Sequence, residues 1–184
     1  MAKNISRGLM IGRFQPFHNG HLSLTRQILA ECDELIIVIG SAQFNYIYKD
    51  PFTAGERILM IHEALLESLV DLKKCYIIPI ANDDNNSRWF GYLKSMVPPF
   101  DLLYSGNILV TNLTSSFAEK QIKIIEPRYE RKREYNGTSI RRKIASSQKW
   151  KKFVPASIYT IIERIDGEHR IRMLSQSDSN PQIW

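Results

Sequence analysis

The sequence predicts an α/β fold, a doubly wound parallel sheet of five strands with helices on both faces. Two observations carry that expectation. Five short apolar runs rich in β-branched residues do not alternate with polar ones, as strands covered on both faces do not. Helical patterns fall between those runs, and strand–helix alternation favours a parallel sheet with right-handed crossovers. The 184 residues, 43% of them hydrophobic, suit one compact core.

The elements follow in chain order. Leu9-Met10-Ile11 reads as the first strand, followed by a helix over 21–30 with Leu22, Leu24, Ile28 and Leu29 on its apolar stripe. Leu35 to Ile39 is the second strand. A helix over 52–69 then repeats Ile58, Ile61, Leu65 and Leu69, and Thr53 with Glu56 forms a capping box at its start. Strands over 75–78, 102–104 and 122–125 alternate with helices over 88–96 and 115–120, and two more helices follow over 138–145 and 155–165. Residues 1–174 read as a single domain. The polar stretch 175–184, with its Ser, Asp, Asn and Pro, reads as a loose tail.

Composition excludes several classes. No run approaches the roughly 18 apolar residues needed to cross a bilayer. Residues 1–8 lead straight into the first strand without a secretory pattern. Cys32 and Cys75 lie far apart without metal-like spacing, which argues against a disulfide framework or zinc site and for a cytoplasmic protein. Neither a P-loop nor a G-x-G-x-x-G turn is present, and no Ser or Cys sits in a nucleophile elbow. The formal net charge of +6 is uneven: residues 120–152 carry twelve Lys or Arg against Glu126, Glu130 and Glu134. That excess suits a polyanion, either nucleic acid or nucleotide phosphates. Tyr129, Tyr135, Trp150 and Phe153 interleave with it, as a nucleic-acid surface would require.

Ligands of such sheets bind beyond the carboxyl ends of the strands. The first loop there is Gly12-Arg13-Phe14-Gln15-Pro16-Phe17-His18-Asn19-Gly20-His21. His18 and His21 are three apart across a helix start, so their rings can share a face. Gly20 keeps that face clear, and the helix N-terminus adds free N–H groups. Together these parts make an anion site able to donate hydrogen bonds to a triphosphate. A second element, Asn136-Gly137-Thr138-Ser139-Ile140-Arg141-Arg142, opens another helix with two hydroxyl caps and a guanidinium in its first turn. A third, from Asn82 through Asp84 and Asn86 to Trp89, offers amides and an indole on which a flat cation can stack.

His18-Asn19-Gly20-His21 resembles the HxGH signature of the nucleotidyltransferase superfamily. The longer string from Gly12 to His21 resembles the archaeal-type nicotinamide-nucleotide adenylyltransferases. Gly40-Ser41-Ala42-Gln43, Asp50-Pro51-Phe52-Thr53-Ala54-Gly55-Glu56-Arg57, Pro98-Pro99-Phe100-Asp101, Tyr104-Ser105-Gly106-Asn107 and Gly137 to Arg142 extend the likeness over roughly residues 7–170.

The resemblance implies a Rossmann-like fold and transfer of an adenylyl group from ATP to nicotinamide mononucleotide, giving NAD and pyrophosphate. It implies catalytic roles for His18, His21 and Arg141. ATP would lie on Gly12, Arg13, Phe14, Gly20, Thr138 and Ser139, and the acceptor nucleotide on Ser41, Lys49, Asn86 and Trp89. Where the superfamily usually has serine, this chain has Asn136; Lys49 stands where arginine is common and lacks its bidentate fork. Arg57 is expected to support its loop through an ion pair. Mg2+ would accompany ATP, held by phosphates and water, since no carboxylate cluster is dedicated to it. The resemblance further implies a homo-oligomer, and neither nucleic acid nor membrane as partner. Other HxGH transferases, acting on phosphopantetheine, glycerol phosphate or a flavin phosphate, are the nearest alternatives; Trp89, Asn86 and the Gly-Ser-Ala-Gln loop favour the pyridine-nucleotide branch.

Overall fold

The computed structural model describes residues 5–83, 85–117, 122–128 and 134–176. Asp84, Lys120, Tyr129, Glu130 and residues 177–184, all used in the sequence reading, lie outside the described residues. Five strands, β1 (Arg7–Gly12), β2 (Glu34–Ile39), β3 (Cys75–Pro79), β4 (Leu102–Tyr104) and β5 (Lys123–Ile125), form one all-parallel sheet in the order β3-β2-β1-β4-β5. The order reverses between β1 and β4, so the loops leaving these strands part there and open a crevice.

Both faces of the sheet are covered, as the continuous apolar strands require. Strand β2 turns Leu35, Ile37 and Ile39 to one face and Ile36 and Val38 to the other, all fully buried. The first face packs against α1 (Asn19–Glu31), α2 (Ala54–Glu67), α5 (Gly137–Ala145), α6 (Ala156–Arg164) and α7 (Gly167–Gln176). The second packs against α3 (Asn86–Met96) through Phe90 and Leu93, with α4 (Ile108–Phe117) contributing Val110.

The capping box of α2 forms as the sequence predicts: Glu56 N donates to Thr53 Oγ1 at 3.1 Å and Thr53 N to Glu56 Oε2 at 2.8 Å. Three elements differ from the sequence reading. Helix α2 stops at Glu67, and Leu69, expected on its apolar stripe, lies beyond it with φ of 58° and is 94% exposed. Helix α4 begins seven residues before the 115 expected, because Asn107 caps it: Leu109 N donates to Asn107 Oδ1 at 3.0 Å. Helix α7 was not expected, and it runs through Ser175 and Gln176, which the sequence reading gave to the tail. It buries only Gly167 and Ile171 and is tied down by polar contacts instead. Arg170 donates to Glu56 Oε2 at 2.7 Å and to Pro51 O at 3.2 Å, and Trp150 Nε1 donates to Glu168 Oε1 at 3.1 Å.

Helix α1 lies so close to β1 that a Cβ at Gly8 would overlap Ile28 Cγ2 and approach Cys32 Sγ to 3.0 Å. Ile28 is fully buried and has nowhere to move. Gly8→Ala is therefore expected to destabilise the fold by about 1–3 kcal/mol through overpacking, read as a lowered midpoint in urea unfolding.

Candidate active site

The loop after β1 is built on its own buried polar groups. Gln15 bonds the backbone of Phe52 twice: Nε2 donates to Phe52 O and Oε1 accepts from Phe52 N, each at 2.9 Å. Gln15 O in turn accepts from Arg141 Nη1 at 2.7 Å. One glutamine thus joins the first loop to the start of α2 and to α5, elements far apart in sequence.

Arg57, on α2, has no accessible surface and holds two strand ends together. Its Nη1 donates to Arg13 O at 3.1 Å and Gly40 O at 3.0 Å; its Nη2 donates to Ser41 O at 3.2 Å and Ala42 O at 3.3 Å. Nε donates to Thr53 O at 3.2 Å. Among the described residues the expected ion pair is absent: the bonded partners are main-chain carbonyls, and Asp50 and Glu56 contribute only through their nearby charge. Burial pulls the Arg57 pKa down, but a guanidinium starts high enough to stay charged. Phe14 and Ser41 each lie two residues past a strand end with φ of 51° and 53°, left-handed values that cost non-glycine residues about 1–3 kcal/mol. Arg57 bonds the carbonyls on either side of Ser41 and the one just before Phe14, and so fixes both.

His18 and His21 stack with ring centroids 3.5 Å apart and planes at 16°. His21 Nδ1 accepts from the His18 backbone N–H at 3.2 Å, so neutral His21 carries its proton on Nε2 and presents a donor there. Burial pushes the His18 pKa down to about 4. It pushes His21 well below the usual value too, with His18 adding to the effect. Both rings are therefore neutral at pH 7 in the free protein. Among the described residues, His18 Nδ1 is buried without a hydrogen-bond partner, as is Arg141 Nε.

The space expected above Gly20 is filled: a Cβ there would meet Tyr135 Cβ at 3.0 Å and the His18 ring at 3.2 Å. Gly20 serves close packing around the histidines rather than an open approach. The hydroxyl caps expected for α5 are also replaced. Asn136 Oδ1 accepts from Ser139 N at 2.7 Å, while Thr138 Oγ1 accepts from Arg141 Nη2 at 3.3 Å. Arg141 itself is 4% exposed, and burial together with the charge of Arg13 lowers its pKa.

Two cavities open at the crevice. One of about 250 Å3 is lined by Phe14, His18, Gly20, His21, Tyr135 and Asn107, among others. The other, of about 600 Å3, has Gly12, Arg13, Ser41, Lys49, Asn86 and Trp89 in its wall. Ten of the thirteen residues expected at the site thus line one cavity or the other. Arg141, Thr138 and Ser139 line neither and stand just behind the first loop. Trp89 both faces the larger cavity and packs against the second-face core, so part of its indole serves the fold. Ser41 gives both its backbone N–H and its hydroxyl to Asn82 Oδ1, each at 3.2 Å. Arg13 Nη1 pairs with the buried Asp50 at 3.3 Å. Gln15, Asn82 and Tyr135 appear in the sequence reading without these structural roles, because the groups they hold are distant in sequence.

Crevice, histidine pair and matched residues define a nucleotidyltransferase: residues 9–143 match the cytidylyltransferase-like family. The nicotinamide-nucleotide adenylyltransferase of Methanococcus aeolicus is 45% identical over 172 residues, covering 94% of this chain and 96% of that one. That of Picrophilus torridus is 46% identical over 172 residues, covering 94% and 99%. The chain belongs to the nicotinamide-nucleotide adenylyltransferases. A bifunctional NMN adenylyltransferase/ADP ribose pyrophosphatase of Francisella tularensis, solved with AMP and a manganese ion, shares the fold with a TM-score of 0.78 at 21% identity. That match covers 94% of this chain and 53% of the other, so the chain spans about half of that bifunctional protein.

The depressed histidine pKa sets the direction of acid sensitivity. Between pH 6.5 and 4 unfolded His18 binds a proton that the folded ring refuses, so stability falls as pH falls through this window. The full shift corresponds to about 3 kcal/mol at roughly 1.4 kcal/mol per unit. Urea unfolding of the free protein from pH 7 to 4 should show this slope, and His18→Asn should lessen it, the remainder belonging to His21.

Proposed function

We propose that this enzyme transfers the adenylyl group of ATP to nicotinamide mononucleotide. An oxygen of the acceptor's 5′-phosphate attacks the α-phosphorus of ATP. The bond from that phosphorus to the bridging β-oxygen breaks, and pyrophosphate leaves with the electron pair. The observation that carries this reading is the pair of cavities meeting at the first loop, one against the histidine pair and one against Trp89 and Lys49. The acceptor phosphate is already ionised, so the protein needs to align two phosphates and stabilise spreading charge.

In this reading ATP lies in the smaller cavity against Phe14 and Gly20 and reaches Gly12 and Arg13 in the wall of the larger one, with Thr138 and Ser139 behind. His21 donates through Nε2–H to a phosphate oxygen. The buried, unpartnered His18 Nδ1 and Arg141 Nε support the assignment, since such atoms in a folded protein call for a partner. Arg141 reaches the phosphates by exchanging part of its contact with Gln15 O and Thr138. The acceptor occupies the larger cavity, with its pyridinium on Trp89, its carboxamide near Asn86, and Lys49 and Ser41 towards its phosphate and ribose.

ATP is taken as its Mg2+ complex. No cluster of three or more His, Cys, Asp or Glu among the described residues could hold an ion, so the reading leaves the metal on phosphates and water. The Francisella tularensis neighbour was solved with a manganese ion, which supports divalent metal use here.

The same reading takes residues 1–174 as one catalytic domain, working in the cytoplasm as a homo-oligomer. The free cysteines Cys32 and Cys75 support that compartment, and exposed Ile108 and Leu109 offer apolar surface for assembly. No described helix is long and apolar enough to cross a membrane.

The test is NAD and pyrophosphate formation from ATP, Mg2+ and nicotinamide mononucleotide. His21→Ala is expected to lower kcat about 100- to 1,000-fold while the fold is retained. Trp89→Ala should instead raise KM for the mononucleotide by about tenfold, the value of one cation–π contact. Turnover with a different phosphate acceptor and none with this one would overturn the substrate assignment.

A further inference from the structure

Two described residues, Ile11 and Asn107, line both cavities. Ile11, at the end of β1, is apolar and can only separate them. Asn107, on the loop after β4, is solvent-exposed and carries the one hydrogen-bonding side chain common to both walls. Its orientation is fixed by chemistry. Leu109 N donates to its side chain at 3.0 Å and needs an acceptor, so Oδ1 faces that N–H and Nδ2 takes the opposite side of the amide.

The backbone beneath is held as firmly. Asn107 N donates to Ser105 Oγ at 3.1 Å, Thr111 N donates to Asn107 O at 3.0 Å, and Ser105 N donates to Ile125 O at 3.1 Å. The amide is therefore preset by β4, β5 and the first turn of α4 before any ligand arrives. A preset donor at the border of two substrate cavities is suited to charge that appears only as the phosphates meet.

We infer that Asn107 is a catalytic residue whose Nδ2–H2 donates to a phosphate oxygen at the junction of ATP and the acceptor, strengthening as transfer proceeds. This rests on the adenylyl-transfer reading above. It also explains why an exposed asparagine, rather than Ser, Thr or Asp, caps α4: all four accept from a backbone N–H, and only asparagine adds an amide donor.

Asn107→Asp separates the two roles, because aspartate still caps α4 but has no donor. Steady-state NAD formation should show kcat lowered about 100-fold or more, with the thermal midpoint unchanged within about 2 °C. Asn107→Ala, which loses cap and donor without adding charge, should lose at least about tenfold in kcat and should also melt earlier. If Asn107→Asp keeps kcat within about threefold of wild type, the residue is only a cap and the inference fails. If Asn107→Asp is inactive while Asn107→Ala turns over like wild type, the loss is repulsion by the added charge, and the inference also fails. Wild-type protein making no NAD would overturn the adenylyl-transfer reading and this inference with it; normal wild-type turnover confines any failure to Asn107.

Discussion

The crevice depends on a single guanidinium. Arg57 sits without solvent contact beneath the first two loops and gives its donors to the carbonyls of Arg13, Gly40, Ser41, Ala42 and Thr53. A buried cation is costly unless it is surrounded by acceptors, so the loops cannot move away without stranding a charge. That mutual dependence keeps Phe14 and Ser41 in left-handed backbone that neither would choose alone. Asp50 completes the arrangement, opposing the charge of Arg57 from below while pairing with Arg13 at the edge of the larger cavity.

Around that centre the structure assigns rigidity and availability to different atoms. The side chains of Gln15 and Arg57 spend all their described bonds on main chain and define where the loops run. His18 and Arg141 are buried, and among the described residues His18 Nδ1 and Arg141 Nε have no hydrogen-bond partner, which leaves polar atoms for a group that is not part of the fold. Neutral imidazoles suit this, since two charged rings stacked at 3.5 Å would repel in the free protein. An arriving polyphosphate reverses that balance, because negative charge nearby favours protonation of the same rings.

The sheet was legible in the sequence because its strands are buried on both faces, and burial on both faces leaves an unbroken apolar run such as Leu35 to Ile39. The first loop was legible because spacing as well as residue type marks it. What escaped is held by polar contact. Helix α7 buries one large apolar residue, Ile171, and is secured by Arg170 and Glu168, so no apolar period announces it. Asn136 departs from the usual serine, yet an amide oxygen caps a helix as well as a hydroxyl. Arg57 reads in the sequence as one half of an ion pair because its partners in the fold, backbone carbonyls, leave no trace in residue identity.

That last point bears on how readily such an enzyme changes what it accepts. The path of residues 40–44 is fixed through oxygen atoms that every amino acid possesses, so side chains along it can be exchanged without redirecting the chain. Ala42, beside the wall of the larger cavity, is then free to diversify while the loop keeps its course, whereas Gln43 is held because its Oε1 accepts from Asn82 N at 3.0 Å. A scaffold anchored through its main chain separates the evolution of selectivity from the maintenance of shape. Families built this way can branch to new acceptors by small steps, each intermediate still folded.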